Sequence, residues 1–256
     1  MKKIFALLLS AALLVTLLAA CGGGNTTDTD TDTQEPATDA STTQVEEQEP
    51  DTGDASKDDP LNQDEIGEKE LLVVSFGTSY NDSRRETIGA IEKAMQTAFP
   101  DYSVRRAFTS QIIIDHVKDR DGVTIDNVEQ ALERAVNNGV KTLVVQPTHL
   151  MNGLEYEELT DELAKYSDSF EKIAIGDPLL TSDADFEAVM TAITDATKDA
   201  ADGKTAICFM GHGTTADSNS VYSKMQTLLT DKGFNDYYVG TVEATPSLDD
   251  VLAAVQ

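Results

Sequence analysis

A histidine between two glycines is the first feature of this chain that could do chemistry. His212 follows the apolar run 207–210, and this run predicts a strand that ends at the first glycine. An imidazole at such an exposed position can accept a proton or bind a metal ion. Because Gly211 and Gly213 carry no side chain, we expect them to leave room for a large ligand. The alternative interpretation is a glycine-rich turn that carries a surface histidine.

A second histidine follows another predicted strand, with a glutamate nearby. His149 comes after the apolar run 142–146, and Glu155 lies further along the same loop. A histidine and a carboxylate on one loop can bind a metal or transfer protons. The alternative is a histidine that hydrogen-bonds to a neighbouring backbone carbonyl. The remaining histidine, His116, lies in the middle of a predicted helix, where a solvated surface position is expected.

These residues need a scaffold, and the pattern from residue 70 onward predicts one. Short apolar runs alternate with stretches of helical periodicity, which predicts an α/β fold with parallel sheets flanked by helices. Residues 210–215 resemble residues 74–79, so we predict two similar halves, at residues 69–200 and 201–256. Ligands of such sheets bind at the carboxyl ends of the strands. The polar residues at predicted strand ends are Ser75, Thr109, His149, His212 and Glu243.

The first 21 residues have the pattern of a lipoprotein signal peptide. Lys2 and Lys3 precede the apolar run 4–20, and the run ends in Leu-Ala-Ala-Cys at Cys21. The alternative, a single transmembrane anchor, is less favoured because the run is short and the cysteine box is specific. We therefore expect lipidation of Cys21, which places the mature protein outside the cell and anchors it to the bacterial membrane.

Residues 22–68 are predicted to form a disordered acidic linker. They consist mainly of small, polar and acidic residues, so they bury too little apolar surface to offset the entropy cost of ordering. The formal net charge of −27, to which this segment contributes, argues against nucleic acid as a partner, because nucleic-acid binding needs a basic surface. Once Cys21 is lipidated only Cys208 remains. We expect Cys208 to be buried in a strand, without a disulfide partner.

Common cofactor and catalytic motifs are absent from the sequence. It contains neither a phosphate-binding Gly-x-x-x-x-Gly-Lys-Ser/Thr loop nor Gly-x-Gly-x-x-Gly, so no nucleotide or organic cofactor is expected. The Gly-x-Ser-x-Gly, Cys-x-x-Cys and His-Glu-x-x-His motifs are also missing, which argues against the usual hydrolases, structural zinc sites and zinc proteases. What remains is a sparse site of histidine and glutamate with open coordination positions, which suits a metal in transit.

Six ordered blocks of sequence carry a family resemblance. They are 72–80 (LVVSFGTSY), 106–110 (RAFTS), 149–157 (HLMNGLEYE), 176–180 (GDPLL), 209–213 (FMGHG) and 239–243 (VGTVE). Together these blocks resemble the anaerobic-type sirohydrochlorin cobaltochelatases, which are class II tetrapyrrole chelatases of cobalamin synthesis. The resemblance covers residues 70–256, and it implies two similar α/β halves with the tetrapyrrole in the cleft between them.

The resemblance also implies roles for individual residues. By position, His212 matches the family's proton-accepting, metal-binding histidine, and Glu243 matches its metal-binding glutamate. The residues expected to bind the tetrapyrrole are Ser75, Phe76, Gly77, Thr78, His149, Glu155 and Gly213. Apolar packing on the macrocycle is also expected from Phe76, Leu150 and Met151, whereas Phe108 could equally be core. For the macrocycle's carboxylates the candidate donors are the amides of 77–79 and 213–215 and the side chains of Arg105 and Arg106, of which one should point away.

One part of the family pattern is missing. The family has a further metal-binding histidine in a Gly-Asp-His segment beyond the position of Glu243, and these 256 residues do not contain that segment. The resemblance therefore implies an incomplete second half, either because the sequence is a fragment or because the site has lost one wall.

Two functions from different classes follow. The first is insertion of a divalent metal, Co²⁺ or alternatively Fe²⁺ or Ni²⁺, into sirohydrochlorin. The second is a non-catalytic lipoprotein that binds a tetrapyrrole or metal outside the cytoplasm for uptake. The signal peptide favours the second, because sirohydrochlorin is made in the cytoplasm. The intact Gly-His-Gly and Val-Glu blocks favour the enzyme, which we prefer, because a pure binder need not keep a base and a ligand together. The sequence does not set the oligomeric state.

Overall fold

The computed structural model describes residues 51–256. The predicted signal peptide, the lipidation site Cys21 and residues 22–50 of the predicted linker lie outside the described residues. Within residues 51–256, none of the helices is both long enough and apolar enough to cross a lipid bilayer.

The described chain forms an α/β fold with two parallel sheets, as predicted. The strands are β1 (Lys69–Ser75), β2 (Ser103–Phe108), β3 (Thr142–Pro147), β4 (Lys172–Ile175), β5 (Ile207–Gly211) and β6 (Tyr237–Thr241). The helices are α1 (Asn81–Glu86), α2 (Ile88–Ala98), α3 (Gln111–Asp121), α4 (Val128–Asn137), α5 (Leu154–Ala164), α6 (Asp183–Thr197), α7 (Ser220–Asp231) and α8 (Leu248–Val255). Single turns of 3-10 helix occur at Ala55–Lys57 and Asp217–Asn219.

The larger sheet has the strand order β2-β1-β3-β4, with every pair parallel. Leu72 and Val74 of β1 pack with Leu132 and Leu159 of the helices on one face, and alternate residues such as Val73 are buried on the other face. This burial on both faces explains the continuous apolar runs in the sequence. Because β2 and β3 flank β1 on opposite sides, the strand order reverses there, and the crevice at the carboxyl ends of β1 and β3 is a ligand position in such folds.

The smaller sheet pairs β5 with β6 in parallel, and this two-stranded sheet fits the incomplete second half that was predicted. Its core joins Phe186 and Met190 of α6 to Leu229 of α7 and Val239 of β6. Helix α6 therefore packs with the second half, and the structure corrects the predicted boundary at residue 200. The sequence places α6 before the restart of the strand pattern, but burial of its apolar face decides where it packs.

Residues 51–68, which we call the strap, are packed against the domain. Leu61 is buried, and its carbonyl accepts a hydrogen bond from the Arg106 amide of β2 at 3.1 Å. Asn62 Nδ2 donates to the Thr124 carbonyl at 2.9 Å. The disordered linker predicted over residues 22–68 is therefore wrong for its last 18 residues, 51–68. Composition alone could not reveal this, because the contacts are made with residues far along the chain.

Both arginines of β2 are buried, which corrects the expectation that one of them could bind a substrate carboxylate while the other points away. Arg105 pairs with Asp126 at 2.9 Å and with Glu70 at 3.4 Å. Arg106 pairs with Glu92 at 2.6 Å. Because the sheet is covered on both faces, alternation along the strand takes neither side chain to solvent.

Two further expectations about single residues are decided by the packing. Phe108 is completely buried beside Ile114 and Ile125, so it is a core residue. Cys208 is exposed, which corrects the prediction of a buried cysteine. It alternates along β5 with Ile207 and Phe209, which pack against the core of the second half, so its side chain projects from the opposite face.

Candidate functional site

The pairing of β5 with β6 brings His212 and Glu243 together. Gly211 is in register with Thr241, and backbone hydrogen bonds continue past the strand ends, with the Glu243 amide donating to the His212 carbonyl at 2.9 Å. Imidazole Nε2 of His212 lies 3.3 Å from carboxylate Oε2 of Glu243. The side chains are 76% and 67% exposed, so a ligand can reach both of them.

The glycines beside His212 make room for the protein itself, which corrects the expectation that they admit a ligand. A Cβ on Gly211 would lie 2.2 Å from the Tyr222 ring of α7. Gly213 has φ +89°, and a Cβ there would lie 2.8 Å from Cβ of Ala244. The two glycines therefore allow α7 and the loop after β6 to approach β5 closely, and this packing holds His212 at the rim.

Asn219 connects the two loops that carry the pair, a role that no sequence motif indicates. Its Oδ1 accepts a hydrogen bond from the Thr214 amide at 3.1 Å, and its Nδ2 donates to the Thr245 carbonyl at 2.7 Å. The Gly213 amide donates to the Tyr222 hydroxyl at 3.4 Å. The amides of Gly213 and Thr214 are therefore already engaged, which corrects their assignment as donors to a substrate carboxylate.

The loop after β1 contributes backbone donors and one apolar side chain. Ser75 is buried, and its hydroxyl accepts a hydrogen bond from the Thr148 hydroxyl at 2.9 Å, so it joins β1 to β3 and does not face solvent. Phe76 is exposed. Gly77 lies against the ring of Phe108. Among residues 51–256, the amides of residues 77–79, including Thr78, find no hydrogen-bond acceptor. They remain available to an anionic ligand.

His149 lies in the loop between β3 and α5. The alternative expected from the sequence, a hydrogen bond from its ring to a backbone carbonyl, is absent from the described residues. Both ring nitrogens are buried and lack a partner within the described chain. Its carbonyl accepts a hydrogen bond from the Leu179 amide at 3.0 Å. Burial lowers the pKa of His149, and the Glu155 carboxylate opposes this only in part. His149 is therefore held in the neutral form, which is the form that accepts protons and binds metals.

The two remaining candidates on helices are both exposed. Glu155 lies at the start of α5 and lines a groove of about 210 Å³ together with Glu158 and Thr109. His116 projects from α3 into solvent, as predicted, which makes it useful as a control histidine below.

Exposed apolar side chains follow four of the six strands, and sequence reasoning identified only the first of them. Each is at least half exposed, although apolar side chains of this size are usually buried. They are Phe76 after β1, Leu154 after β3, Leu179 after β4 and Val242 after β6. Apolar surface at strand ends is typical of a ligand site. Phe76 and Val242 come directly after a strand, and only this position in the sequence could have indicated them.

The metal-binding capacity of the described residues is limited to pairs. Residues 51–256 contain no group of three or more histidine, cysteine, aspartate or glutamate side chains that could hold a metal ion. The His212–Glu243 pair offers one nitrogen and one oxygen, which suits divalent transition metals and leaves coordination positions for other ligands.

The described residues thus combine an α/β fold of two parallel sheets with a histidine and a glutamate paired at the strand ends. The family model for cobalt chelatase (CbiK) matches residues 69–256, and the chain belongs to this family. The sirohydrochlorin cobaltochelatase of Salmonella typhimurium is 34% identical over 188 residues, which cover 73% of this chain and 70% of that protein. Sirohydrochlorin cobaltochelatase CbiKC of Nitratidesulfovibrio vulgaris is 28% identical over 190 residues, covering 73% of this chain and 66% of that protein.

Proposed function

We propose that this chain inserts a divalent metal ion into sirohydrochlorin. The metal we propose is Co²⁺, with Fe²⁺ or Ni²⁺ as alternatives. The observation that carries the proposal is the exposed His212–Glu243 pair at 3.3 Å, in a chain of the cobalt chelatase family. The names of two relatives, both sirohydrochlorin cobaltochelatases, support the choice of metal and macrocycle.

The chemistry needs a base and a metal ligand close together. Metal insertion removes two N–H protons from the macrocycle while the ion exchanges bound water for ring nitrogens. His212 in its neutral form accepts the two protons from the pyrrole nitrogens one after the other, releasing the first to bulk water before it takes the second. Glu243 holds the incoming ion beside the imidazole, and its negative charge attracts the dication. The ion is a substrate, so a site with two protein ligands releases it more easily than a closed one.

The macrocycle would be held by surfaces outside this pair. The exposed side chains of Phe76, Leu154, Leu179 and Val242 offer apolar contact to its flat face. The unengaged amides of residues 77–79 offer hydrogen bonds to its carboxylates. His149, which is buried and neutral, lies on the loop between β3 and α5 and is proposed to line the same cleft with Glu155.

The test is cobalt insertion into sirohydrochlorin, followed by absorbance, for the full-length protein and two matched variants. His212→Ala should lower the rate by at least about 100-fold, because a positioned general base contributes about 10²–10⁴-fold. His116→Ala removes an exposed histidine from α3 and should keep the wild-type rate. The proposal is wrong if the wild-type protein inserts cobalt no faster than the uncatalysed reaction, or if both variants match wild type.

The second candidate function is a binding lipoprotein that takes up tetrapyrrole or metal without catalysis. The specific observation in its favour is the cysteine box at Cys21. Fluorescence titration of sirohydrochlorin in the same experiment separates the two functions. Tight binding without turnover would support the binding protein, whereas turnover that depends on His212 would support the enzyme.

For either function, we propose that the protein is lipid-anchored outside the cytoplasm through Cys21. Wild-type protein should partition with membranes and enter the detergent phase, and Cys21→Ser should abolish this, because the thiol is the lipid attachment point. Cys208→Ser is the matched control. Membrane association that survives Cys21→Ser would contradict lipidation.

A further inference from the structure

The strap places one acidic side chain in the interior of the domain. It precedes residue 69, where the match to the family model begins. The Asp58 side chain is only 4% exposed, and its Oδ2 lies 2.5 Å from Nε of Arg84 and 2.7 Å from Nη1 of Arg106. Both arginines are buried. Charge-assisted contacts of this kind are stronger than hydrogen bonds between neutral groups.

Charge balance in this cluster depends on Asp58. Arg84 and Arg106 bring two positive charges, and the carboxylate that Arg106 contacts on the family domain is Glu92, at 2.6 Å. Asp58 supplies the second negative charge. Burial by itself raises the pKa of Asp58, but hydrogen bonds from Arg106 and Arg84 outweigh it, and the pKa lies below its usual value. A neutral side chain at this position would leave a buried arginine unpaired, which is costly.

Arg84, which contacts Asp58, also binds the loop after β1. Its Nη1 donates to the Thr78 carbonyl at 3.0 Å, and its Nη2 donates to Asn81 Oδ1 at 2.6 Å. The strap also holds the loop directly, because Asn81 Nδ2 donates to the Gly53 carbonyl at 3.1 Å. Thr78 belongs to the stretch 77–79 whose free amides face no acceptor in the described chain. Arg84 therefore holds the Thr78 carbonyl, and the amides of residues 77–79 remain available to a ligand.

We infer that Asp58 is a positioning residue: through Arg84 it fixes the loop 76–80. The strap, which lies outside the matched family region, therefore holds in place the loop that is proposed to bind the macrocycle. This inference rests on the proposed function only where it assigns the loop to the macrocycle. The positioning itself can be measured in the free protein. His212 and Glu243 lie on the other sheet and should not respond to Asp58.

Hydrogen–deuterium exchange of the full chain tests the positioning without any ligand. Asp58→Asn keeps the size of the side chain and removes its charge. Exchange at the hydrogen-bonded amides of Tyr80, Asp82 and Arg84 should become at least about tenfold faster, while the loop 212–216 keeps its wild-type rate, because local opening is independent of the remote sheet. Asp59→Asn is the matched control, since Asp59 is exposed and its bond to the Leu61 amide can be kept by the amide oxygen. Unchanged exchange at the amides of Tyr80, Asp82 and Arg84, or an equal increase in both loops, overturns the inference.

Kinetics test the connection to the macrocycle. In Asp58→Asn the KM for sirohydrochlorin should rise about tenfold while kcat changes less than about twofold, because the catalytic pair is untouched. Co²⁺ binding measured without macrocycle should stay at the wild-type level. A fall in kcat with constant KM would contradict the assignment. If wild-type protein neither binds nor metallates sirohydrochlorin, the proposed function fails, and the exchange experiment still decides whether Asp58 holds the loop.

Arg84→Lys keeps the inference testable if Asp58→Asn does not fold. Lysine retains a positive charge beside Asp58, but it lacks the planar fork that reaches Asp58, the Thr78 carbonyl and Asn81 together. The same local increase in exchange and the same rise in KM are expected. Wild-type exchange and wild-type KM in folded Arg84→Lys would overturn the inference.

Discussion

At the residue scale, backbone pairing rather than side-chain packing sets the distance between His212 and Glu243. Both side chains are mostly exposed, and the hydrogen bond between their backbones at 2.9 Å continues the ladder of β5 and β6. A substitution at either position should therefore change the chemistry without disturbing the fold.

Glu243→Gln should weaken Co²⁺ binding by at least about tenfold, because a neutral amide replaces a charged ligand and loss of even an outer contact costs about that much. The thermal midpoint should move by less than about 2 °C, as for other surface substitutions. Isothermal titration with Co²⁺ and a thermal melt measure the two effects. Glu171→Gln, at another exposed glutamate, is the control. A large loss of thermal stability in Glu243→Gln would show that this carboxylate is structural.

Glu70 makes stability depend on pH. Burial raises its pKa to about 7, and Arg105 offsets this only in part. A carboxyl group with a raised folded pKa contributes stability that is fully present below its unfolded pKa of about 4.5 and is lost as the pH rises through about 7. Glu70→Gln should remove this dependence, so that between pH 5 and pH 8 the stability of the variant relative to wild type should rise by on the order of 2–3 kcal/mol.

Urea unfolding of wild type and Glu70→Gln at pH 5 and pH 8 measures the effect. The difference in free energy of unfolding between the two proteins reports the pH dependence that comes from Glu70, because the other titrating groups are common to both. Equal stability differences between the two proteins at both pH values would contradict a raised pKa for Glu70.

At the element scale, the close approach of α7 to β5 positions the end of β5, which His212 follows. The Tyr222 ring occupies the space beside Gly211 where a Cβ would lie, and Tyr222 is itself buried in the core of the second half.

Gly211→Ala should destabilise the protein by about 1–3 kcal/mol, because overpacking forces the ring or the strand to move. Combining it with Tyr222→Leu should cost less than the sum of the two single changes, since the second removes the clash. Gly89→Ala is the control, because a Cβ there would meet its nearest neighbour at an ordinary 3.5 Å. Strictly additive costs in the double variant would exclude the proposed steric contact.

The sequence predicts the elements well because their signals are local. Apolar runs and helical periodicity predicted the alternation of strands and helices, and strand ends marked His212 and Glu243 as candidate site residues. Long-range contacts were missed. Asp58 is paired with Arg84 and Arg106. These residues are too far apart in the sequence for local composition to indicate that they pair. Asn219 acts through two loops, so nothing beside it in the chain indicates its role.

At the scale of the whole molecule, most of the negative charge belongs to the described part of the chain. Residues 1–50 carry eight acidic and two basic side chains, so −6 of the −27 lies there and −21 lies in residues 51–256. Residues 1–50 therefore account for the smaller part of the net charge, and the negative field of residues 51–256 attracts dications and repels a macrocycle that carries carboxylates.

Raising the salt concentration should act oppositely on the two substrates. Between 0.01 and 0.15 M NaCl the Debye length falls from about 30 to about 8 Å, so the KM for Co²⁺ should rise and the KM for sirohydrochlorin should fall, each by severalfold. Steady-state kinetics at a series of salt concentrations measures both. Parallel changes in the two KM values would exclude a dominant effect of net charge.

The strap also has a consequence for the solubility of the domain. Strand β2 is at an end of the larger sheet, and the Leu61 carbonyl covers part of its outer edge by pairing with the Arg106 amide. An uncovered edge strand is a template for intermolecular pairing. Expression of residues 69–256 alone, the region that a family alignment would recommend, should therefore yield aggregated protein, whereas a chain that begins at residue 51 should remain monodisperse.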